Sequence, residues 1–237
     1  MKSRLSGKTA LVTGASRGIG RAIATRLTAQ DVTVIGTARA SSELKTLDLE
    51  LTFSPTPGFA IAADLTQEKE VKRLFEEIDG RLGRPVDILI NNAGIAEETP
   101  FAEQSFDSWR SLFAINVDAV FLATREMLIR RPLNRTGHIV FVASDASFKG
   151  IGKMGPYCAT KHAVHGLAKS LAEEYRGSGV RFTTLFTGSV NTTILRETAD
   201  RHDITQPEDI ADSLLHALSM PERCEMRELY ITPADSS

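Results

Sequence analysis

Thr9-Ala10-Leu11-Val12-Thr13 runs straight into Gly14-Ala15-Ser16-Arg17-Gly18-Ile19-Gly20. The first five residues are a short apolar run of the kind that makes a strand buried on both faces. Beyond the glycines, Ile19, Ala22, Ile23 and Leu27 recur at helical spacing and leave Arg21, Arg26 and Gln30 for the outer side. A strand, a glycine turn and a helix in that order suit a pyrophosphate. Glycine lets the phosphate approach the backbone, and the unpaired N–H groups and dipole of a helix start favour negative charge. Gly14, Ser16, Arg17, Gly18, Ile19 and Gly20 are therefore candidate cofactor-binding residues. The spacing is Gly-x-x-x-Gly-x-Gly rather than the common Gly-x-Gly-x-x-Gly, and a glycine-rich turn without a ligand is the plain alternative.

The same pattern continues outward. Apolar runs at 32–37, 59–63, 86–91, 137–144, 180–186 and 228–232 read as further strands, with helical patterns between them. Thr66 reads as an N-cap ahead of Val71, Leu74, Phe75 and Ile78. Residues 105–129 and 157–176 read as longer helices, the second ended by Gly177, and Pro207 opens a helix that runs to about 219. Strands alternating with helices predict an α/β fold: a doubly wound, mostly parallel seven-stranded sheet with helices on both faces, Rossmann-like. Residues 52–58 read as a surface loop too short to divide domains, so residues 1–237 are expected to form a single dinucleotide-binding and catalytic domain.

Composition narrows the function. The chain is 42% apolar and 24% charged, with net charge -2, which gives no basic surface for nucleic acid or anionic membrane. No run of 18 apolar residues and no signal-like start is present, so a cytoplasmic protein is expected. Cys158 and Cys224 lack metal-ligand spacing and cannot form a disulfide framework, so no metal site is expected. After the second strand the chain reads Gly36-Thr37-Ala38-Arg39 without a carboxylate. A carboxylate there would bind the ribose 2′-hydroxyl of NAD, whereas Arg39 and Arg17 can clamp the 2′-phosphate of NADP. NADP(H) is therefore the expected cofactor; the alternative makes both arginines ordinary solvated charges.

Tyr157-Cys158-Ala159-Thr160-Lys161 places a phenol and an ammonium four residues apart, on one face if helical. A phenol needs a neighbouring cation to ionise near neutral pH, and Lys161 is the expected source. Cys158, His162, His165 and Trp109 read as packing residues on their helices.

Four motifs in order make the chain closely resemble the short-chain dehydrogenase/reductase family over nearly its whole length: 13–20, Asn91-Asn92-Ala93-Gly94, Asn116 with Ser144, and Tyr157 with Lys161. Within the family the likeness is to bacterial 3-oxoacyl-(acyl carrier protein) reductases and to small NADP-dependent 3-hydroxy acid dehydrogenases. The resemblance implies that Asp64 and Leu65 hold the adenine and that Asn91, Ala93 and Gly94 line the adenosine side. It implies that Gly188, Val190 and Thr192 touch the nicotinamide carboxamide. Thr187 stands where the family has proline, which leaves that turn less restrained. It further implies that Tyr157 is the general acid/base, that Ser144 donates to the carbonyl oxygen, and that Asn116 holds a water relaying protons from Lys161, which also binds the nicotinamide ribose.

The activity so implied is NADPH-dependent reduction of a ketone, 3-oxoacyl-like or other, to a secondary alcohol. The alternatives are oxidation of a 3-hydroxy acid or other alcohol by the same residues, or a non-catalytic NADP sensor. Phe148, Ile151, Met154 and Gly155 are expected to form an apolar substrate wall, under a short lid between Asn191 and Pro207. If the carbonyl is linked to an acyl thioester on a carrier protein, Arg130, Arg131 and Arg135 are the docking candidates. The resemblance further implies association through the helices at 105–131 and 157–176, as a homotetramer first and a dimer second.

Overall fold

In the computed structural model, which describes residues 3–131, 136–195 and 200–234, successive side chains of β1 (Thr9–Thr13) enter different cores. Ala10 and Val12 pack into one hydrophobic cluster and Leu11 into another, all fully buried. That is why the strand reads as an unbroken apolar run rather than an alternating one.

Six more strands follow: β2 (Thr33–Ala38), β3 (Phe59–Ala62), β4 (Ile88–Asn91), β5 (Gly137–Val142), β6 (Val180–Thr187) and β7 (Glu228–Ile231). They form one sheet in the order β3-β2-β1-β4-β5-β6-β7, every neighbouring pair parallel. Leu11 sits opposite Ile35 of β2 and Leu89 of β4. Helices α1 (Gly18–Thr28), α2 (Ser42–Thr52) and α7 (Pro207–Leu218) cover one face, through Ile23, Leu27, Leu47 and Leu214. Helices α3 (Glu68–Leu82), α5 (Ala119–Ile129) and α6 (Gly155–Glu174) cover the other, through Leu74, Phe75, Ala123 and Val164. The strand order reverses between β1 and β4, which opens a crevice at the carboxyl ends of those strands. Among the described residues, no helix is long and apolar enough to cross a membrane.

The sequence reading needs correction at three points. Helix α2 is absent from it: Leu44, Leu47 and Leu51 are buried and the Ser41 hydroxyl caps Leu44 N–H at 3.2 Å, but exposed Leu49 interrupts the apolar period. Thr66 does not cap α3. Gln67 holds the N-cap position, while the Thr66 hydroxyl donates to Asp64 Oδ1 at 2.7 Å and builds a turn ahead of the helix. The expected single helix at 105–129 is α4 (Phe106–Phe113), one π-helical turn (Ala114–Asp118) and then α5.

His138, the second residue of β5, sits in a dry setting. Its Nε2 meets Thr183 Oγ1 at 2.8 Å, and Nδ1 has no hydrogen-bond partner among the described residues. Burial, with the charges of Arg181 and Lys8, pushes its pKa down to about 3. The folded protein therefore refuses a proton that the unfolded chain accepts below about pH 6.5. The stability this neutral ring contributes is complete above pH 6.5 and is lost as pH falls toward 3. Urea unfolding between pH 6.5 and 4 should show stability falling by up to about 1.4 kcal/mol per pH unit from this group, and His138→Gln should flatten the slope. An unchanged slope in the variant would assign the acid sensitivity elsewhere.

Candidate active site

The crevice at the ends of β1, β2 and β4 is a cleft of about 540 Å³. Its floor is the turn between β1 and α1. Gly14 and Gly18 have φ of 63° and 55°, a left-handed backbone that side chains disfavour. A Cβ on Gly14 would stand 2.8 Å from Ala93 Cα, so the turn and the end of β4 touch backbone to backbone. No side chain caps the start of α1, which leaves its N-terminal dipole facing the cleft. Asn92 fastens the arrangement: Nδ2 donates to Thr13 O at 2.9 Å and to Gly14 O at 3.2 Å, and its N–H donates to the Thr13 hydroxyl at 2.9 Å.

Of the residues expected to meet the cofactor, Gly14, Ser16, Arg17, Gly18, Ile19, Arg39, Leu65, Ala93, Gly94 and Thr192 line this cleft. Others lie behind it. A Cβ on Gly20 would come within 2.3 Å of Gly14 O, so this glycine lets α1 pack under the turn. Asn91 turns away and donates to Thr124 Oγ1 of α5 at 3.0 Å. Asp64 accepts from Thr66, while its neighbours Ala63 and Leu65 form the wall. Gly188 N–H donates to Ile231 O at 2.9 Å, and Val190 is buried in a bridge with Thr205. The sequence reading omits Ser41 and Glu43, which the start of α2 brings to the wall beside Arg39. The signal for them is Ser41 two residues ahead of an acidic first turn, a helix-start pattern.

Asn116 sits in the π turn, 1% exposed. Its Oδ1 accepts from Ile95 N–H at 2.9 Å; its Nδ2 donates to Ile95 O at 2.9 Å and to Thr160 Oγ1 at 3.1 Å. One amide thus ties the loop after β4 to α6. On α6, Lys161 Nζ donates to Val142 O at the end of β5 at 3.1 Å and lies 5.6 Å from the Tyr157 ring centroid. Ser144, just past β5, accepts from Ala146 N–H at 3.2 Å and donates to Asp145 Oδ1 at 3.0 Å, and its hydroxyl favours the ionised form of Tyr157. Gly94 joins the two halves: it lines the cleft, and a Cβ there would stand 3.2 Å from Asn116 Oδ1 and 3.9 Å from Lys161 Nζ.

Burial controls the charges here. It pushes the Tyr157 phenol up to about 12, against the hydrogen bond from Ser144 and with the charge of Asp145, and pushes the Lys161 ammonium down to about 8. Burial thus takes the phenol the opposite way from the lowering expected of Lys161, which is not among the groups that shift it. Ile151 and Met154 join Tyr157, Ala96, Leu112 and Leu195 in a small apolar cluster, whereas Phe148 turns toward Phe186 and Tyr230, 5.5 Å from each ring.

The model of the short chain dehydrogenases matches residues 8–203. The chain belongs to that family. It is an oxidoreductase, and its dinucleotide crevice meets the side chains of Asn116 and Lys161 at Gly94. It is 32% identical to a farnesol dehydrogenase of Aedes aegypti, over 97% of each chain. It is 33% identical to a glycine betaine reductase of Emericella nidulans over 99% of its own length, but spans only 19% of that protein. Among solved structures it is similar to an alcohol dehydrogenase of the archaeon Thermococcus sibiricus complexed with 5-hydroxy-NADP. The TM-score is 0.89 at 26% identity, covering 97% of this chain and 98% of that one. A metagenomic short-chain oxidoreductase in complex with NADP gives a TM-score of 0.82 at 29% identity, covering 98% and 99%.

Helical Gly→Ala changes ordinarily stabilise by about 1 kcal/mol. In this dehydrogenase Gly20→Ala should instead destabilise by about 1–3 kcal/mol, because the new methyl meets the Gly14 carbonyl. Thermal unfolding that moved upward would show that the turn yields.

Proposed function

We propose that this protein reduces a ketone to a secondary alcohol with NADPH, Tyr157 donating the proton. The observation that carries the reading is the acid–base cluster itself: a buried phenol whose ionised form Ser144 favours, a buried ammonium over its ring, and Asn116 behind them, next to the dinucleotide cleft. A phenol held near 12 is protonated at neutral pH and can give its proton to the developing alkoxide, while the cofactor ratio sets the direction of the reaction. NADPH, when bound, supplies the hydride. Ser144 donates to the carbonyl oxygen, where charge builds up, and Lys161, linked to solvent by a water held at Asn116, replaces the proton that Tyr157 gives up. The sites assigned above from the resemblance stand as part of this proposal.

NADP(H) is supported by Arg17 and Arg39 on the cleft wall and by the NADP-type ligands of the two similar structures. The relatives named for farnesol and for alcohol, with the apolar cluster beside Tyr157, support a neutral substrate with an apolar part. A 3-oxoacyl substrate fits the same description. Carrier-protein docking is less well supported: Arg130 is held by Asp79 and Glu126, Arg131 donates to Val86 O, and Arg135 lies outside the described residues. We assign the 237 residues to one domain, acting in the cytoplasm as a homotetramer or else a dimer. Phe106, Phe121 and Ile129, exposed on α4 and α5, support association through those helices.

Following NADPH oxidation against 3-oxoacyl thioesters, 3-oxo acids, diketones and cyclic ketones should identify a substrate. With it, Tyr157→Phe should lower kcat by about 10²–10⁴-fold; a loss of less than about tenfold would remove Tyr157 from the role. Arg39→Ala should raise KM for NADPH by about tenfold or more and leave NADH unchanged. Equal weakening of both cofactors would refute the phosphate clamp.

A further inference from the structure

We propose that Asp145 is a positioning residue for the acid–base cluster: its carboxylate holds the Ser144 hydroxyl, and Lys149 tempers its charge from the solvent side. The inference rests on the catalytic reading of Ser144 and Tyr157 above. Asp145 opens the 3₁₀ turn Asp145–Ser147 directly after Ser144. Its Oδ1 accepts the Ser144 hydroxyl at 3.0 Å, and its Oδ2 receives Lys149 Nζ at 2.6 Å. The backbone fixes the pairing, since Phe148 N–H and Lys149 N–H both donate to Asp145 O at 3.2 Å. The Asp145 side chain is 20% exposed and that of Lys149 55%, so the carboxylate stands between a dry centre and water.

A hydroxyl carries one proton and two lone pairs. The Ser144 proton points at Asp145, and one lone pair takes Ala146 N–H at 3.2 Å. With its proton on Asp145, Ser144 is not free to donate to the Tyr157 oxygen, a contact that favours the phenolate. To donate to a substrate oxygen, the hydroxyl must rotate off Asp145. Asp145 thereby sets how far the Ser144 proton is available to the Tyr157 oxygen or to the carbonyl.

The carboxylate also reaches Tyr157 through space. Among the described residues, the charged and titratable groups facing the phenol are Lys161 and Cys158 on α6 and Asp145 on the turn. Negative charge at Asp145 disfavours the phenolate. Asp145→Asn keeps an oxygen acceptor for Ser144 and removes that charge, so the Tyr157 pKa falls. Lys149→Ala exposes the carboxylate's full charge, so the pKa rises. The two substitutions act in opposite directions on a group that neither of them carries.

The test measures kcat/KM against pH for both variants with NADPH and the best ketone of the panel. Alongside it, the phenol is titrated in NADP-saturated protein by ultraviolet difference spectroscopy against Tyr157→Phe. Asp145→Asn should shift the apparent pKa down by about half a unit to one unit, and Lys149→Ala up by about half a unit. Asp145→Asn should also alter KM for the ketone, because a neutral amide oxygen holds the Ser144 hydroxyl less tightly than a carboxylate does. Unmoved pKa values, or shifts of the same sign in both variants, overturn the proposal; Lys149 is exposed, so its variant tests it even if Asp145→Asn fails to fold. If Tyr157→Phe keeps wild-type turnover, the catalytic reading fails instead, and the spectroscopic titration still decides whether Asp145 governs the phenol.

Discussion

Everything in this molecule hangs on β1 and β4 lying side by side. Thr13 and Asn92 are 79 residues apart in sequence, yet the threonine hydroxyl accepts from the asparagine N–H at the carboxyl ends of the two strands. On one side of that seam the chain winds out through β2 and β3, and on the other through β5, β6 and β7. Helices leave in both directions, so no element covers the seam itself. The cleft is what the topology leaves uncovered, and Asn92 fills its base with an amide whose hydrogen bonds are satisfied by backbone carbonyls.

From that seam a second set of contacts carries position outward. Ile95 hands it to Asn116, Asn116 to Thr160, and Thr160 to the backbone of Tyr157 at 2.7 Å. The acid–base cluster is therefore aligned with the nucleotide cleft through polar contacts that are buried and mutually satisfied, where packing alone would allow sliding. Dryness has an electrostatic result as well. Tyr157 and Lys161 are both pressed toward their neutral forms by burial. A small change in nearby charge then has a large effect on either of them.

What the chain reveals before folding follows from how each feature is encoded. Strands buried on both faces lack the polar–apolar alternation of a half-exposed strand, so β1, β4, β5 and β6 are plain in the sequence as mainly apolar runs, and the glycine turn follows β1 without a gap. Helix α2 is obscured because Leu49 lies off its apolar stripe and is exposed. Asn116 is noticeable as an amide in an apolar helical pattern, but the backbone turn that accommodates it has no signature in residue type. Tyr157 and Lys161 are legible as a pair; their pKa values are not, because desolvation depends on what the fold places around them. Glu43 enters the cleft wall only through the placement of α2, and Asp145 matters only because the turn after β5 faces Tyr157.

The π turn at Ala114–Asp118 can also be read as arithmetic. An α-helix advances about 100° per residue, and a π turn accommodates one residue more than the α-helical repeat does. Helices α4 and α5 are therefore two helices out of phase by one residue, and the surplus residue is spent turning Asn116 inward while Ala119 and Ala123 still face the core. Removing any one residue from this turn would restore a regular helix and rotate the whole of one flanking helix by about 100° relative to the other. Phe121 and Ile129 would then leave the outer face of α5. Chain length at a single turn thus links the interior amide to the exterior surface of the molecule.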